Sequence, residues 1–133
     1  MSFSLHPKLQ KDTFGVTELP LCTVLLMNNS SFPWLILVPR VADKRELIDL
    51  SPDDRHRLLD EVSLACEALK TVYTPDKLNV AALGNQVQQL HVHVIARFTG
   101  DAAWPNPVWG LPSKPYEESA PVIERLKRAL GGR

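Results

Sequence analysis

Glutamine and two histidines alternate with apolar residues in Gln89-Leu90-His91-Val92-His93-Val94-Ile95. In an extended chain successive side chains leave opposite faces, so Gln89, His91 and His93 share one face and Leu90, Val92 and Val94 the other. Residues two apart on a strand lie about 6.5–7 Å apart. That spacing brings two imidazoles and an amide onto one small group, such as a phosphate.

Three chemistries compete for this face. Histidines on a solvated strand need do nothing. His-x-His also presents two imidazoles to zinc or iron, but such a site needs further ligands. The residues that follow, Ala96-Arg97-Phe98-Thr99-Gly100, offer no carboxylate before Asp101, and Arg97 repels a cation. No metal site is expected, and the chain has too few strands for a double-stranded barrel of the cupin type. The third chemistry is nucleophilic attack on phosphorus. A neutral imidazole forms a phosphoramidate if its other nitrogen donates to a fixed acceptor. A second imidazole then protonates the leaving group or bonds the phosphoryl oxygens. Gly84-Asn85-Gln86, just upstream, could supply donors to those oxygens, with glycine permitting close backbone approach.

The elements that must position this strand are legible as patterns. Leu21 to Met27 reads as a buried strand, Asn28 to Ser31 as a turn, and Trp34 to Val38 as the return strand between Pro33 and Pro39. A helix begins at Ser51-Pro52-Asp53-Asp54, with a capping serine, proline at the first position and acids toward the N-terminal dipole. Leu58, Leu59, Val62, Ala65, Cys66, Leu69 and Val72 follow helical spacing, and Thr74-Pro75 ends the helix near Tyr73. Leu78 to Leu83 and Gln88 to Phe98 read as two more strands. A final amphipathic helix spans roughly residues 121–130 and ends in Gly131-Gly132. Short connections imply antiparallel pairing. A sheet with a long helix across one face is an α+β domain, with the histidine face left in an open groove.

Composition narrows the classes. The 133 residues fit one domain, 1–133, with one core. Lysine plus arginine equal aspartate plus glutamate at 15 each, so the basic excess of a nucleic-acid binder is missing. Low self-repulsion is compatible with self-association. Residues 1–10 lack an apolar core, so no signal peptide is read there, and Trp34 to Val38 is too short to span a bilayer. Cys22 and Cys66 sit in apolar contexts and read as buried residues. A cytoplasmic protein with neither membrane nor nucleic-acid partner is expected.

On these residues the chain resembles the histidine triad (HIT) superfamily of nucleotidyl hydrolases and transferases. The family motif is His-φ-His-φ-His-φ-φ, with φ apolar, and only its first histidine is replaced here, by Gln89. Gly84-Asn85-Gln86-Val87 stands where the family has Gly-Gln-Ser/Thr-Val. Trp104-Pro105 is similar to the Trp-Pro pair of the adenosine phosphoramidase branch, and Leu37-Val38-Pro39-Arg40 to the family's apolar-Pro-basic step. The resemblance covers roughly residues 20–110.

It implies an antiparallel sheet of about five strands with a long helix and a C-terminal helix. It implies that His91 is the nucleophile and carries a nucleotidyl group, and that His93 contacts phosphate and assists the leaving group. Gln89 stands in the first histidine's place, where restoring histidine is expected to keep or raise activity. Asn85 and Gln86 match the phosphate-contacting pair, and Asn79 and Trp104 join the substrate site, with Trp109 near Trp104. Leu26, Phe32 and Trp34 are candidates for a base cleft, with packing in the core as the competing and favoured reading of all three. The implied substrate is a purine nucleotide, adenosine-type, and the implied assembly a homodimer with a shared sheet. No cofactor is implied, and the family's zinc-binding Cys-x-x-Cys is absent. The alternative is a nucleotide-binding module with little or no catalysis, made so by the glutamine.

Overall fold

The structure is a computed structural model that describes residues 2–131. Its elements run α1 (Pro7–Asp12), β1 (Thr13–Glu18), β2 (Cys22–Met27), β3 (Trp34–Pro39), a short 3-10 turn (Leu47–Asp49), α2 (Pro52–Tyr73), β4 (Lys77–Ala81), β5 (Val92–Arg97) and α3 (Ala120–Gly131). The five strands form one antiparallel sheet in the order β1-β2-β3-β5-β4. The α+β class and the two expected hairpins, β2–β3 and β4–β5, are present. No helix is long and apolar enough to cross a membrane among the described residues.

Helix α2 begins where its signals place it. Ser51 Oγ accepts the Asp54 N–H at 3.1 Å, Pro52 opens the first turn, and Thr74 ends the helix in the left-handed region. Its inner face, Leu58, Val62, Ala65 and Leu69, packs with Leu126 and Leu130 of α3 on one side of the sheet. Leu59 is a correction: it is 65% exposed and points away from this core. Gly132, expected to end the last helix, lies outside the described residues.

The inner strands β3 and β5 are buried on both faces, which is why β3 reads as a continuous apolar run. Leu35, Leu37, Val92, Val94 and Ala96 face α2 and α3. Trp34, Ile36, Val38 and Ile95 face the opposite way, under Leu9 of α1, Phe32, Val87 and Val108. A second packed layer, built from the N-terminal segment and two long loops, narrows the expected open groove to a cleft, and His91 and His93 are each about 95% buried at its floor.

Two elements lack a clear sequence signal. Helix α1 is too short to show periodicity. Strand β1 is an edge strand interrupted by a bulge between Gly15 and Thr17. The histidine strand is shorter than expected. Strand β5 begins at Val92, because the Leu90 N–H goes to Lys44 O at 2.9 Å instead of extending the ladder. Gln89 and His91 therefore stand in the arm that leads into the strand, although the alternation of faces persists through Leu90 and His91.

Candidate active site

His93 is the second residue of β5, opposite Ile36 of β3 and Ala81 of β4. Trp34 lies two residues before Ile36 and reaches diagonally across the strand pair. Its Nε1–H donates to His93 Nδ1 at 3.0 Å. An indole nitrogen only donates, so Nδ1 is the bare nitrogen of His93 and Nε2 carries the proton. Trp109 packs edge-on against both rings, 5.2 Å from His93 and 5.7 Å from Trp34 between centroids. Burial, then the neighbouring His91, lowers the His93 pKa to about 4. The ring is thus a neutral Nε2–H donor at neutral pH.

His91 shows the opposite tautomer. Its Nδ1 lies 2.7 Å from the main-chain oxygen of Gln89, which can only accept, so Nδ1 carries the proton and Nε2 keeps its lone pair. The two rings are 4.9 Å apart between centroids. His91 thus has a bare Nε2, and His93 has an N–H at Nε2 that can donate a hydrogen bond.

Both histidines line a cleft of about 320 Å³. One wall is the loop Gly84-Asn85-Gln86-Val87. Gly84 has φ +75, a conformation that favours glycine, and it turns the chain into this loop. Asn85 and Gln86 are exposed along it, within reach of a group bound over the histidines. The other wall is α1, with Lys8, Leu9 and Asp12; Met27 and Ile36 contribute apolar surface. Lys8 Nζ and Asp12 Oδ2 pair at 3.0 Å on its exposed side.

Three residues expected at the site lie elsewhere. The Gln89 side chain turns away from the cleft: its Oε1 accepts the His6 N–H and its Nε2 donates to Ser4 O, both at 2.9 Å. Asn79 Oδ1 accepts from Arg97 Nη1 at 2.8 Å, four residues along β5 from His93. Trp104 stacks on the Arg97 guanidinium at 5.6 Å. Arg97 is 2% exposed and is held by Asp101 at 2.7 Å, so this cluster is a buried ion pair clamping the loop after β5. Of the base-cleft candidates, Trp34 is in the site, Phe32 packs beside Arg97, and Leu26 is on the helix side of the sheet.

Lys8, Leu9 and Asp12 carried no expectation. Pro7, at the first position of α1, is the one local signal for the helix that brings them here. Among the described residues, no group of three or more His, Cys, Asp or Glu side chains is placed to hold a metal ion.

Residues 8–100 match the HIT domain family. A histidine triad protein of Marinobacter aquaeolei VT8 is 47% identical, with 99% of this chain and 98% of that one covered at a TM-score of 0.96. A histidine triad protein of Bradyrhizobium japonicum is 46% identical over 98% and 99% of the two chains, TM-score 0.94. One of Sinorhizobium meliloti 1021 is 43% identical over 96% of each, TM-score 0.93. No curated protein matches the chain.

Proposed function

The chain belongs to the HIT domain family, and from that membership we propose that it is a nucleotide hydrolase or nucleotidyltransferase. It cleaves a nucleoside monophosphate from a phosphoramidate, a dinucleoside polyphosphate or a similar conjugate. The observation that carries this reading is the 2.7 Å bond from His91 Nδ1 to Gln89 O, which leaves Nε2 basic and aimed by a fixed main-chain acceptor.

In the first step the Nε2 lone pair attacks the α-phosphorus and forms a P–N bond as the bond to the leaving group breaks. The His91 ring becomes cationic, and the Gln89 carbonyl stabilises its Nδ1–H. His93 Nε2–H donates a hydrogen bond to a phosphoryl oxygen or to the leaving atom and keeps its proton, while solvent water supplies the proton the leaving group takes up. Asn85, Gln86 and loop N–H groups offset charge on the other oxygens. Water then cleaves the P–N bond, releasing nucleoside monophosphate and restoring neutral His91. With another nucleophile in place of water the same intermediate gives transfer. Leu9, Met27 and Trp109 line the cleft with apolar groups that suit a purine such as adenine.

Binding without turnover is the competing reading. The opposed tautomers of His91 and His93 favour turnover, since binding alone does not need them. The test is nucleoside monophosphate release from adenosine phosphoramidate, diadenosine polyphosphates and a nucleotide sugar, for wild type and His91→Ala. Release by wild type that vanishes in the variant is expected. Retained release by His91→Ala, or binding of adenosine monophosphate by a wild type that turns over nothing, would sink the catalytic reading.

The same reading includes a homodimer. Strand β4 is a sheet edge, paired with β5 on one side only. Val80 on this strand, Leu83 just beyond it, and Leu47, Ile48 and Leu59 next to them are five exposed large apolar residues gathered at this edge. A second copy related by a two-fold axis would continue the sheet and cover them.

A further inference from the structure

We infer that the Gln89 carboxamide is a positioning residue that fastens the N-terminal segment down as a wall of the substrate cleft. This deepens the proposed function and rests on it for the kinetic part of its test.

Both ends of the amide are used, on partners 83 and 85 residues away in sequence. Oε1 takes the N–H of His6 and Nε2 donates to the C=O of Ser4, the two main-chain groups that flank Leu5. Donor and acceptor of a carboxamide point in nearly the same direction. The side chain therefore acts as one residue of a paired strand would toward residues 4–6. Phe3 and Leu5 pack against the same buried layer as Trp34 and Ile95. Immediately beyond the clasp, His6 Nδ1 accepts the Lys8 N–H at 3.0 Å and caps α1. Helix α1 then presents Lys8, Leu9 and Asp12 to the cleft that holds His91 and His93.

Gln89 thus joins two functions in one residue. Its main-chain oxygen sets the His91 tautomer, and its side chain fixes the strap that closes the opposite wall. Histidine at this position cannot reproduce the clasp, because the two ring nitrogens of imidazole point to opposite sides. On this inference Gln89→His, expected from the family motif to keep or raise activity, instead loosens the strap and raises KM.

The experiment compares wild type with Gln89→Ala, Gln89→Glu and Leu5→Ala. Hydrogen exchange is followed at residues 4–12, KM and kcat with adenosine phosphoramidate, and Kd for adenosine monophosphate by calorimetry. Gln89→Glu keeps the acceptor for His6 but sets a carboxylate against Ser4 O. Leu5→Ala loosens the strap without touching Gln89. The expected result is at least tenfold faster exchange over residues 4–12 in Gln89→Ala, a smaller rise in Gln89→Glu, and a five- to tenfold rise in KM and Kd that exceeds any fall in kcat. Leu5→Ala should reproduce the rise in KM and Kd. Unchanged exchange in Gln89→Ala overturns the clasp. Faster exchange with unchanged KM and Kd overturns the strap's place in the substrate site. A wild type that binds adenosine monophosphate without turnover, with Kd and exchange still responding to Gln89, removes the hydrolase and leaves the clasp standing.

Discussion

Trp34 and His93 are tied by a buried hydrogen bond of 3.0 Å from the indole N–H to Nδ1. The bond fixes a tautomer and also resists protonation, because an N–H at Nδ1 would face another N–H. Trp34→Phe removes the donor while keeping an aromatic ring. The His93 pKa should rise from about 4, and kcat should fall about tenfold or more as the Nε2–H donor loses its fixed identity. A two-dimensional NMR titration of the imidazole nitrogens, run beside the kinetics, reads both. An unmoved His93 titration would show that burial and the neighbouring His91 set this ring without help from the indole.

The low His93 pKa has a consequence for stability. In the unfolded chain histidine titrates near 6.5; in the folded protein His93 does so at about 4. Between these values the unfolded state binds the extra proton, so stability rises with pH through this window and falls as the solution is acidified from 6.5 toward 4. The loss attributable to His93 is about 3 kcal/mol at its fullest, below pH 4. Urea unfolding from pH 7.5 to 4 measures it. His93→Gln should flatten the dependence, and an equally steep profile in that variant would assign the effect elsewhere.

The order of faces was legible in the sequence, and the extent of the strand was not. Period-two alternation correctly puts Leu90, Val92 and Val94 toward the helices and His91 and His93 on the opposite face. The strand stops at Val92 because Lys44 O, far away in sequence, captures the Leu90 N–H. No local propensity carries that information. The Gln89 side chain was expected over the histidine cleft and is not there, for a related reason. A glutamine side chain is long enough to turn, and its partners are main-chain atoms of Ser4 and His6, which have no side-chain signature. Helix α2 was legible from end to end because its cap, its proline and its acids are local. Asn79 and Trp104 were drawn away from the cleft by Arg97, whose buried charge collects every polar and aromatic neighbour within reach.

That buried charge makes a sharp prediction. Arg97 donates to both carboxylate oxygens of Asp101, at 2.7 and 3.1 Å, and to Asn79 and Asn106. The Arg97 guanidinium first, and then the N–H groups of Phe98, Ala103 and Trp104, hold the Asp101 carboxyl well below the usual carboxylate range. Its contribution to stability is present above the ordinary pKa near 3.8 and is lost only as pH falls below it, outside the His93 window. Asp101→Ala strands the guanidinium and should cost about 3–5 kcal/mol in urea unfolding at pH 7. Arg97→Met with Asp101→Leu removes both charges and should cost less than Asp101→Ala alone. A double variant that is the less stable of the two would mean that the loop depends on the pair itself.

The last prediction concerns the β4 edge. An unpaired strand edge flanked by large apolar side chains favours pairing with another chain unless a charge is placed on it. Val80 is 51% exposed, and Leu59 of α2 is 65% exposed across the same patch. Neither side chain is in the packed cores, so a lysine at either position leaves the protomer's interior intact. Pairing the edges antiparallel across a two-fold axis would bring each substituted lysine close to its counterpart, where like charges repel. Val80→Lys should therefore weaken dimerisation at least tenfold while the unfolding midpoint of the protomer moves little. Multi-angle light scattering across a dilution series reads the assembly state, and circular dichroism reads the fold. A wild type that is monomeric at high micromolar concentration would remove the dimer from the proposed function. A dimer untouched by both Val80→Lys and Leu59→Lys would place its interface on another face.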